Sequence, residues 1–309
     1  MPPRSPLPQR HGLDPAWMRT PDFDRQRPTP WPTMGAWLDE RLSEFIDVPE
    51  FLGAGRFVYA SGEAVAESDL YRPHTFVWFH RDLREEASVP GKISIVHRDE
   101  RIVVIDKPPF LSTIPRGRHV KQSVVVRLRA ELGLPELSPL HRLDRVTSGL
   151  LILATERKWR APYQTLFQRG EVGKVYRALA AYRPELELPV TVTNHLAKRR
   201  GHLQAEVVEG RPANAESRVE LETVLDESRA VYRLTPRTGR THQLRMHMWG
   251  LGVPIADDPL YPEVRDVSVD DFDHPLQLLA SELRFTDPVD GQSRRFEAVR
   301  SLPLCGESD

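Results

Sequence analysis

Apolar and polar positions along the chain fall into segments with the period of a helix and segments with the period of a strand. Between Met34 and Phe45, Trp37, Leu38, Leu42 and Phe45 recur at helical spacing and predict one amphipathic helix. Residues 55–81 alternate and turn at Ser61–Gly62, which predicts a small sheet. Residues 93–107 read as strand, turn at Asp99–Glu100, strand; Pro108 and Pro109 end the second, because proline has no N–H for a central ladder. Residues 120–133 fit a helix with Arg127 and Arg129 exposed and Gly133 at its end. Leu150–Ala154 is a continuous apolar run with the length of a buried strand. Residues 156–174 fit a helix that begins near Pro162, with Tyr163, Leu166 and Phe167 toward the core. Residues 174–182 alternate as a strand, and more strands are expected within 190–208, 216–236, 276–285 and 294–300. Thr241 is a plausible N-cap for a helix from His242 to Trp249, closed by Gly250. The first turn of that helix carries N–H groups that favour an anion.

This succession of strands lacks the even βα alternation of a doubly wound fold. The expected class is α+β, with a mixed, mainly antiparallel sheet and flanking helices. Three regions are expected. Residues 1–34 hold nine prolines and several arginines with little periodicity, and read as a disordered arm. Residues 35–90 form a small α+β module, and residues 91–309 the main domain, with an acidic loop at 256–275. Residues 82–92 have linker composition.

Composition narrows the class. With 309 residues, 39% hydrophobic and 28% charged, the chain suits a soluble globular protein with a substantial core. No apolar run has membrane length and no signal-peptide core precedes it. The single cysteine, Cys305, excludes an intramolecular disulfide and a cysteine-based metal cluster. These features give the expectation of a cytoplasmic protein. The net charge of −1 conceals an asymmetry: residues 101–250 carry +11, residues 1–100 −4 and residues 251–309 −8. A basic middle between acidic flanks suggests one face for a polyanion.

Candidate chemistry concentrates in His141–Gly149. Asp144 sits on a polar loop that feeds the rigid run Leu150–Ala154, so a scaffold holds the carboxylate while the loop exposes it. Arg142 and Arg145 on either side favour its ionised form. An ionised carboxylate can act as base, nucleophile or metal ligand. His141, Asp144 and Ser148 lie within one loop, and no Gly-x-Ser-x-Gly elbow surrounds Ser148, which argues against a hydrolase triad. His242 and His247 are five apart, unlike the i, i+4 pair of a zinc helix, and no metal is expected. No phosphate-cradling glycine motif points to a nucleotide cofactor. A loop carboxylate, a strand tyrosine and basic residues at a helix start suit an aspartate acting on a base within a polynucleotide.

The run His141-Arg142-Leu143-Asp144-Arg145-x-Thr147-Ser148-Gly149-Leu150 resembles the signature of the RluA-type RNA pseudouridine synthases. Four more blocks agree in order: Asp106-Lys107-Pro108, Lys174-x-Tyr176-x-Ala178, Thr238 through His247, and Asp258-Pro259-Leu260-Tyr261. The resemblance covers about residues 93–300. It implies isomerisation of uridine in transfer RNA or 23S ribosomal RNA to pseudouridine, by a monomer without cofactor, metal or protein partner. It implies Asp144 as the catalytic aspartate, acting on the base, on the ribose, or in loss of the base through a glycal. Arg245 would pair with it, and Tyr176 would stack on the base and take part in proton removal from C5. Arg142 would fill the gap left by the flipped base, Lys107 and Arg240 would bind phosphates, and Leu278 would pack against the base. The chain departs from the family pattern at Leu279, where histidine is frequent. Residues 35–90 resemble a degenerate S4-type RNA-binding module, without its usual basic run. A non-catalytic RNA binder, a hydrolase using Ser148 and a structural ribosome-associated factor are the other readings.

Overall fold

The computed structural model describes residues 3–22, 31–83, 85–115, 117 and 119–302. The chain divides into two compact units, Met1–Glu85 and Glu86–Asp309, so the boundary falls before the expected residue 90. In the first unit, β1 (Ala16–Arg19), β2 (Val58–Tyr59) and β3 (Phe76–Phe79) form an antiparallel sheet in the order β1-β3-β2. Helix α1 (Met34–Leu42) starts where the Thr33 side chain accepts from the N–H of Ala36. Helix α2 (Val48–Gly53) starts likewise, with Asp47 accepting from the N–H of Glu50. Trp37, Leu38 and Phe51 from the helices pack on Phe57, Val77 and Phe79.

Two expectations change in this unit. The arm expected to be disordered over residues 1–34 supplies β1, paired residue by residue with Phe76–Phe79, and its Ala16 and Met18 pack on the helices. Phe45, expected on the buried face of the first helix, lies beyond the end of α1 and is 76% exposed. Residues 23–30 of the expected arm and Cys305 fall outside the described residues.

The second unit is built on one large sheet. Its strands are β4 (Ser94–Arg98), β5 (Ile102–Lys107), β6 (Ser138–Pro139), β7 (Ser148–Ala154), β8 (Gly173–Ala181), β9 (Val190–Asn194), β12 (Ala215–Val224), β13 (Arg229–Pro236), β14 (Leu278–Thr286) and β15 (Ser293–Glu297). A separate short hairpin joins β10 (Leu196–Ala197) and β11 (Glu206–Val207). The sheet order is β4-β5-β7-β14-β8-β13-β12-β9, with β15 beside β14 and β6 beside β7. Among these pairs only β7 and β14 run parallel. Alternation along the central strands builds two apolar layers. Val103, Ile105, Leu151 and Leu153 face the layer that holds α3 (Val124–Leu132) and α5 (Gln243–Gly250). Ile102, Val104, Leu150 and Ile152 face the layer that holds α4 (Arg157–Arg169).

Helix α4 corrects the expected start near Pro162: it runs from Arg157 with the proline inside. Tyr163 and Leu166 are buried against the sheet, and this packing outweighs the backbone hydrogen bond that the proline cannot make. Helix α3 ends at Gly133 in the left-handed conformation, as expected. Gly149 fixes how β7 meets β14. Its φ is +104°, and a Cβ there would lie 2.3 Å from the carbonyl oxygen of Ala280. Only glycine permits this approach, which sets the strand that follows the Asp144 loop.

Candidate active site

Asp144 opens a turn closed by the N–H of Thr147 on its carbonyl, 3.1 Å away. The loop is pinned from below. The Thr113 hydroxyl donates to the carbonyl of Leu143 at 2.9 Å, and the Lys107 ammonium donates to the carbonyl of Arg145 at 3.1 Å. The Asp144 carboxylate is about one-third exposed, at 31%, and lines a cavity of about 440 Å³. Arg142, Arg245, His242, Leu260 and Val264 share that cavity. Each of the first three brings positive or polar character, and the last two make it partly apolar, as a nucleobase requires.

Arg245 Nη1 donates to Asp144 Oδ2 at 3.3 Å from a side chain only 2% exposed. The first turn of α5 carries it to this position. His242 caps that helix in the left-handed conformation, at φ 59°, in place of the expected Thr241. Gln243 ties the preceding loop together. Its side-chain oxygen accepts from the Thr238 hydroxyl at 2.7 Å and the Arg240 N–H at 3.0 Å. Its amide nitrogen donates to the Glu216 carbonyl at 2.9 Å and the Ser217 hydroxyl at 2.8 Å.

Arg245 makes closer contacts with Asp258, 2.7 Å through Nε and 2.6 Å through Nη2. Burial alone would lower the Arg245 pKa; the hydrogen bonds and charge of Asp258, with Asp144 behind them, raise it overall. The Arg245 guanidinium also lies 5.2 Å from the Tyr261 ring centre. The Tyr261 hydroxyl accepts from the Ala205 N–H at 2.7 Å and meets His242 Nδ1 at 2.9 Å. Burial, with smaller opposing charge effects, pulls the His242 pKa down to about 4, so its imidazole is neutral at pH 7. Its Nε2 is 3.9 Å from Asp144. His141 is neutral too: burial, then the charge of Lys174, pulls it down to about 3, and its Nε2 accepts from the Ile152 N–H at 3.2 Å.

Tyr176 is half-buried on β8, facing the same layer as Ala178, Leu278 and Ala280, its neighbours in the β8–β14 ladder. Burial first, and the negative charge of Asp144 second, push its phenol pKa upward, so it is a neutral phenol at pH 7. Leu278 is 3% exposed, and its carbonyl accepts from the Ser148 hydroxyl at 3.2 Å. Asp144, Arg142 and Arg245 thus line the cavity, whereas Tyr176 and Leu278 belong to the apolar layer between the sheet, α3 and α5. Arg142 is exposed at the cavity edge and Arg240 is exposed on the approach to α5.

Two sequence expectations fail here. Lys107 does not present a charge to phosphates: it is buried and donates to the carbonyls of Pro108, Leu111 and Arg145 at 2.9, 2.9 and 3.1 Å. Burial holds its pKa well below the usual lysine value. Arg145 does not pair with Asp144; it donates to the carbonyl of Val269 at 3.2 Å and lies 5.6 Å from the Phe110 ring centre. Ser148 is buried with its hydroxyl on Leu278, which removes the hydrolase geometry. Asp258 is the functional residue that sequence reasoning missed. It opened a matched block, but a lone aspartate before Pro259 carries no signal of burial against an arginine thirteen residues earlier. Among the described residues, no three His, Cys, Asp or Glu side chains gather as metal ligands, and no helix is long and apolar enough to cross a membrane.

Residues 101–249 match the family model described as RNA pseudouridylate synthase. The chain is 33% identical over 213 residues to the dual-specificity RNA pseudouridine synthase RluA of Escherichia coli, an alignment covering 66% of this chain and 91% of that one. It is 33% identical over 189 residues to RNA pseudouridine synthase 7 of Oryza sativa, covering 60% of this chain and 48% of the relative. Against the structure of human RNA Pseudouridylate Synthase Domain Containing 4 the identity is 25% and the TM-score 0.53, over 68% of this chain and 88% of that one. The chain spans about half to three fifths of the length of several curated relatives that it matches. Nearly the whole of the E. coli enzyme aligns at this identity, and three of the matching blocks, those of Asp144, Arg245 and Leu260, line one cavity: the chain belongs to the RluA-type RNA pseudouridine synthases.

Proposed function

We propose that the protein isomerises uridine to pseudouridine in a single-stranded segment of transfer RNA or 23S ribosomal RNA, with Asp144 as the catalytic carboxylate. The observation that carries this reading is the Asp144–Arg245 contact at the cavity: a partly exposed carboxylate held by a buried guanidinium that is itself anchored. The reaction breaks the bond from C1′ to N1 of the base and makes one from C1′ to C5. The C5 proton leaves and N1 gains one, so the atoms balance without a redox partner. Asp144 attacks the base or the ribose, or assists departure of the base as a glycal forms; all three need an ionised, aimed carboxylate.

Arg245 aims that carboxylate and offers a charge-assisted hydrogen bond to it. Tyr176, as a neutral phenol, suits stacking and hydrogen bonding to the base better than service as a free phenolate. Leu278 supplies apolar surface on the same sheet face. Reaching the carboxylate requires the uridine to leave its stack at a cost of a few kcal/mol, which favours loops already unstacked. Arg142, at the cavity edge, is placed to enter the gap. Arg240 meets phosphate, as expected from the sequence, and Lys107 drops out of that role. Target choice is assigned to the N-terminal unit, expected as a degenerate S4-like module, and to the loops around the cavity. A monomeric cytoplasmic enzyme is part of the same proposal and rests on the family resemblance and the single cysteine. By their names, the E. coli relative is a dual-specificity RNA pseudouridine synthase and the mitochondrial relative of Saccharomyces cerevisiae acts on transfer RNA, which supports transfer RNA as one substrate class.

The test is tritium release from unmodified transfer RNA and unmodified 23S ribosomal RNA, each labelled at C5 of uridine. Release from one of them identifies the substrate class. Binding of both without release favours the non-catalytic RNA binder.

A further inference from the structure

Asp258 plays no part in the bond changes above, yet four donors converge on it. Its carboxylate, fully buried, accepts from Arg245 Nε at 2.7 Å, Arg245 Nη2 at 2.6 Å, and the N–H groups of Leu260 and Tyr261 at 2.8 and 3.2 Å. The first two bonds form a fork that fixes the plane of the guanidinium. Only Nη1 is then left to reach Asp144, and it does so at the longer distance of 3.3 Å. The last two bonds tie the cavity wall at Leu260 to the same carboxylate.

We propose that Asp258 is the positioning residue of this site: it aims Arg245 at Asp144 and, by taking most of the guanidinium's hydrogen bonds, leaves the catalytic carboxylate oriented but not locked. This rests on the reading of Asp144 as the catalytic group. Without Asp258, Arg245 would have one carboxylate partner, and the closer pair would form with Asp144 itself. A carboxylate gripped in a fork must break two charge-assisted bonds before it engages the uridine. A carboxylate held by one long bond breaks little. Asp258 is also the closer counter-charge of a buried cation, so the same contact serves stability and aim.

A double-mutant cycle separates aim from mere stability. Asp258→Asn keeps the shape of the side chain and removes its charge. Its kcat should fall about thirtyfold or more while KM for the RNA stays within about threefold, since misplacement near 1 Å costs on that order. In an Arg245→Met background the same substitution should change kcat by less than about threefold, because nothing remains to be aimed. An equal loss in both backgrounds, or a folded Asp258→Asn enzyme with kcat within about threefold of wild type, overturns the proposal. Should Asp258→Asn fail to fold, Asp258→Glu, which keeps the charge and displaces it, replaces it in both arms with the same expectations.

A second readout needs no turnover. The Nε–H of Arg245, followed by 15N NMR, should be slowly exchanging in wild type and in Asp144→Asn, and exposed to exchange in the Asp258 variant. The opposite pattern overturns the proposal. An inactive wild type would defeat the functional reading, but this second readout would still decide the positioning role.

Discussion

Arg245 stands between two carboxylates and is closer to the fully buried one: 2.6 and 2.7 Å to Asp258, 3.3 Å to Asp144. Replacing Arg245 therefore has two separable effects. Arg245→Ala should cut kcat by more than about tenfold, roughly 1.4 kcal/mol in the barrier, because Asp144 loses the guanidinium that orients it through Nη1. It should also lower the unfolding midpoint in urea, because Asp258 becomes a buried charge without a cation, a loss on the order of 3–5 kcal/mol. A folded variant with near-normal kcat would show that the pairing is not needed.

Lys107 and Arg240, both expected from sequence to hold phosphate, should part company. Lys107→Met orphans three buried carbonyls and should cost about 2–4 kcal/mol in chemical denaturation. The salt dependence of RNA affinity should stay unchanged for this variant. Arg240→Ala should leave stability nearly unchanged and reduce the slope of log K against log salt by about 1. A reduced slope for the lysine variant would return Lys107 to the RNA surface.

Gly149 is a constraint with no chemistry of its own. Gly149→Ala places a methyl group against the Ala280 backbone and asks alanine for a φ of +104°. The loss should be at least about 2 kcal/mol by denaturant unfolding. Activity should fall too, because β7 carries the end of the Asp144 loop. A stable, active alanine variant would contradict the close approach of β7 and β14.

Acid should destabilise the fold through a histidine as well as through carboxylates. His141 has its folded-state pKa lowered to about 3, against an ordinary value near 6.5. The unfolded chain therefore binds more protons than the folded one between those values. Stability should be fully present above about pH 6.5 and decline as the pH falls toward 3. His141→Phe, which can keep the stack on Phe167, now at 4.5 Å between ring centres, should flatten that decline in urea titrations at stepped pH. An unchanged slope would place the acid sensitivity elsewhere; His242, lowered to about 4, is the next group to test.

Much of this was legible in the sequence, for stated physical reasons. Leu150–Ala154 announces a buried strand because every position in it is apolar, and the loop before it announces exposure because it is polar and ends in Thr-Ser-Gly. That junction marks Asp144 as a held but exposed carboxylate, and the family resemblance supplies its expected role. What could not be read was the partner of each charge. Arg142 and Arg145 are close to it in the chain, yet Asp144 takes Arg245, 101 residues away, while Arg145 turns to the carbonyl of Val269. Lys107 reads as a basic residue beside two prolines; only the folded chain shows it surrounded by carbonyls. Pro162 reads as a helix start, and the burial of Tyr163 and Leu166 overrides it. The edge strand Ala16–Arg19 was hidden by the proline-rich composition around it, since a four-residue strand leaves almost no periodicity.

The most direct test of Asp144 as the catalytic carboxylate is tritium release at C5 by wild type and Asp144→Asn side by side, on whichever RNA responds, with RNA affinity and unfolding measured on the same preparations. Wild type should release tritium, and Asp144→Asn should release none above background while keeping its fold and its affinity. Near-normal release by a folded Asp144→Asn protein would contradict the assignment and move the chemistry to another group in the cavity.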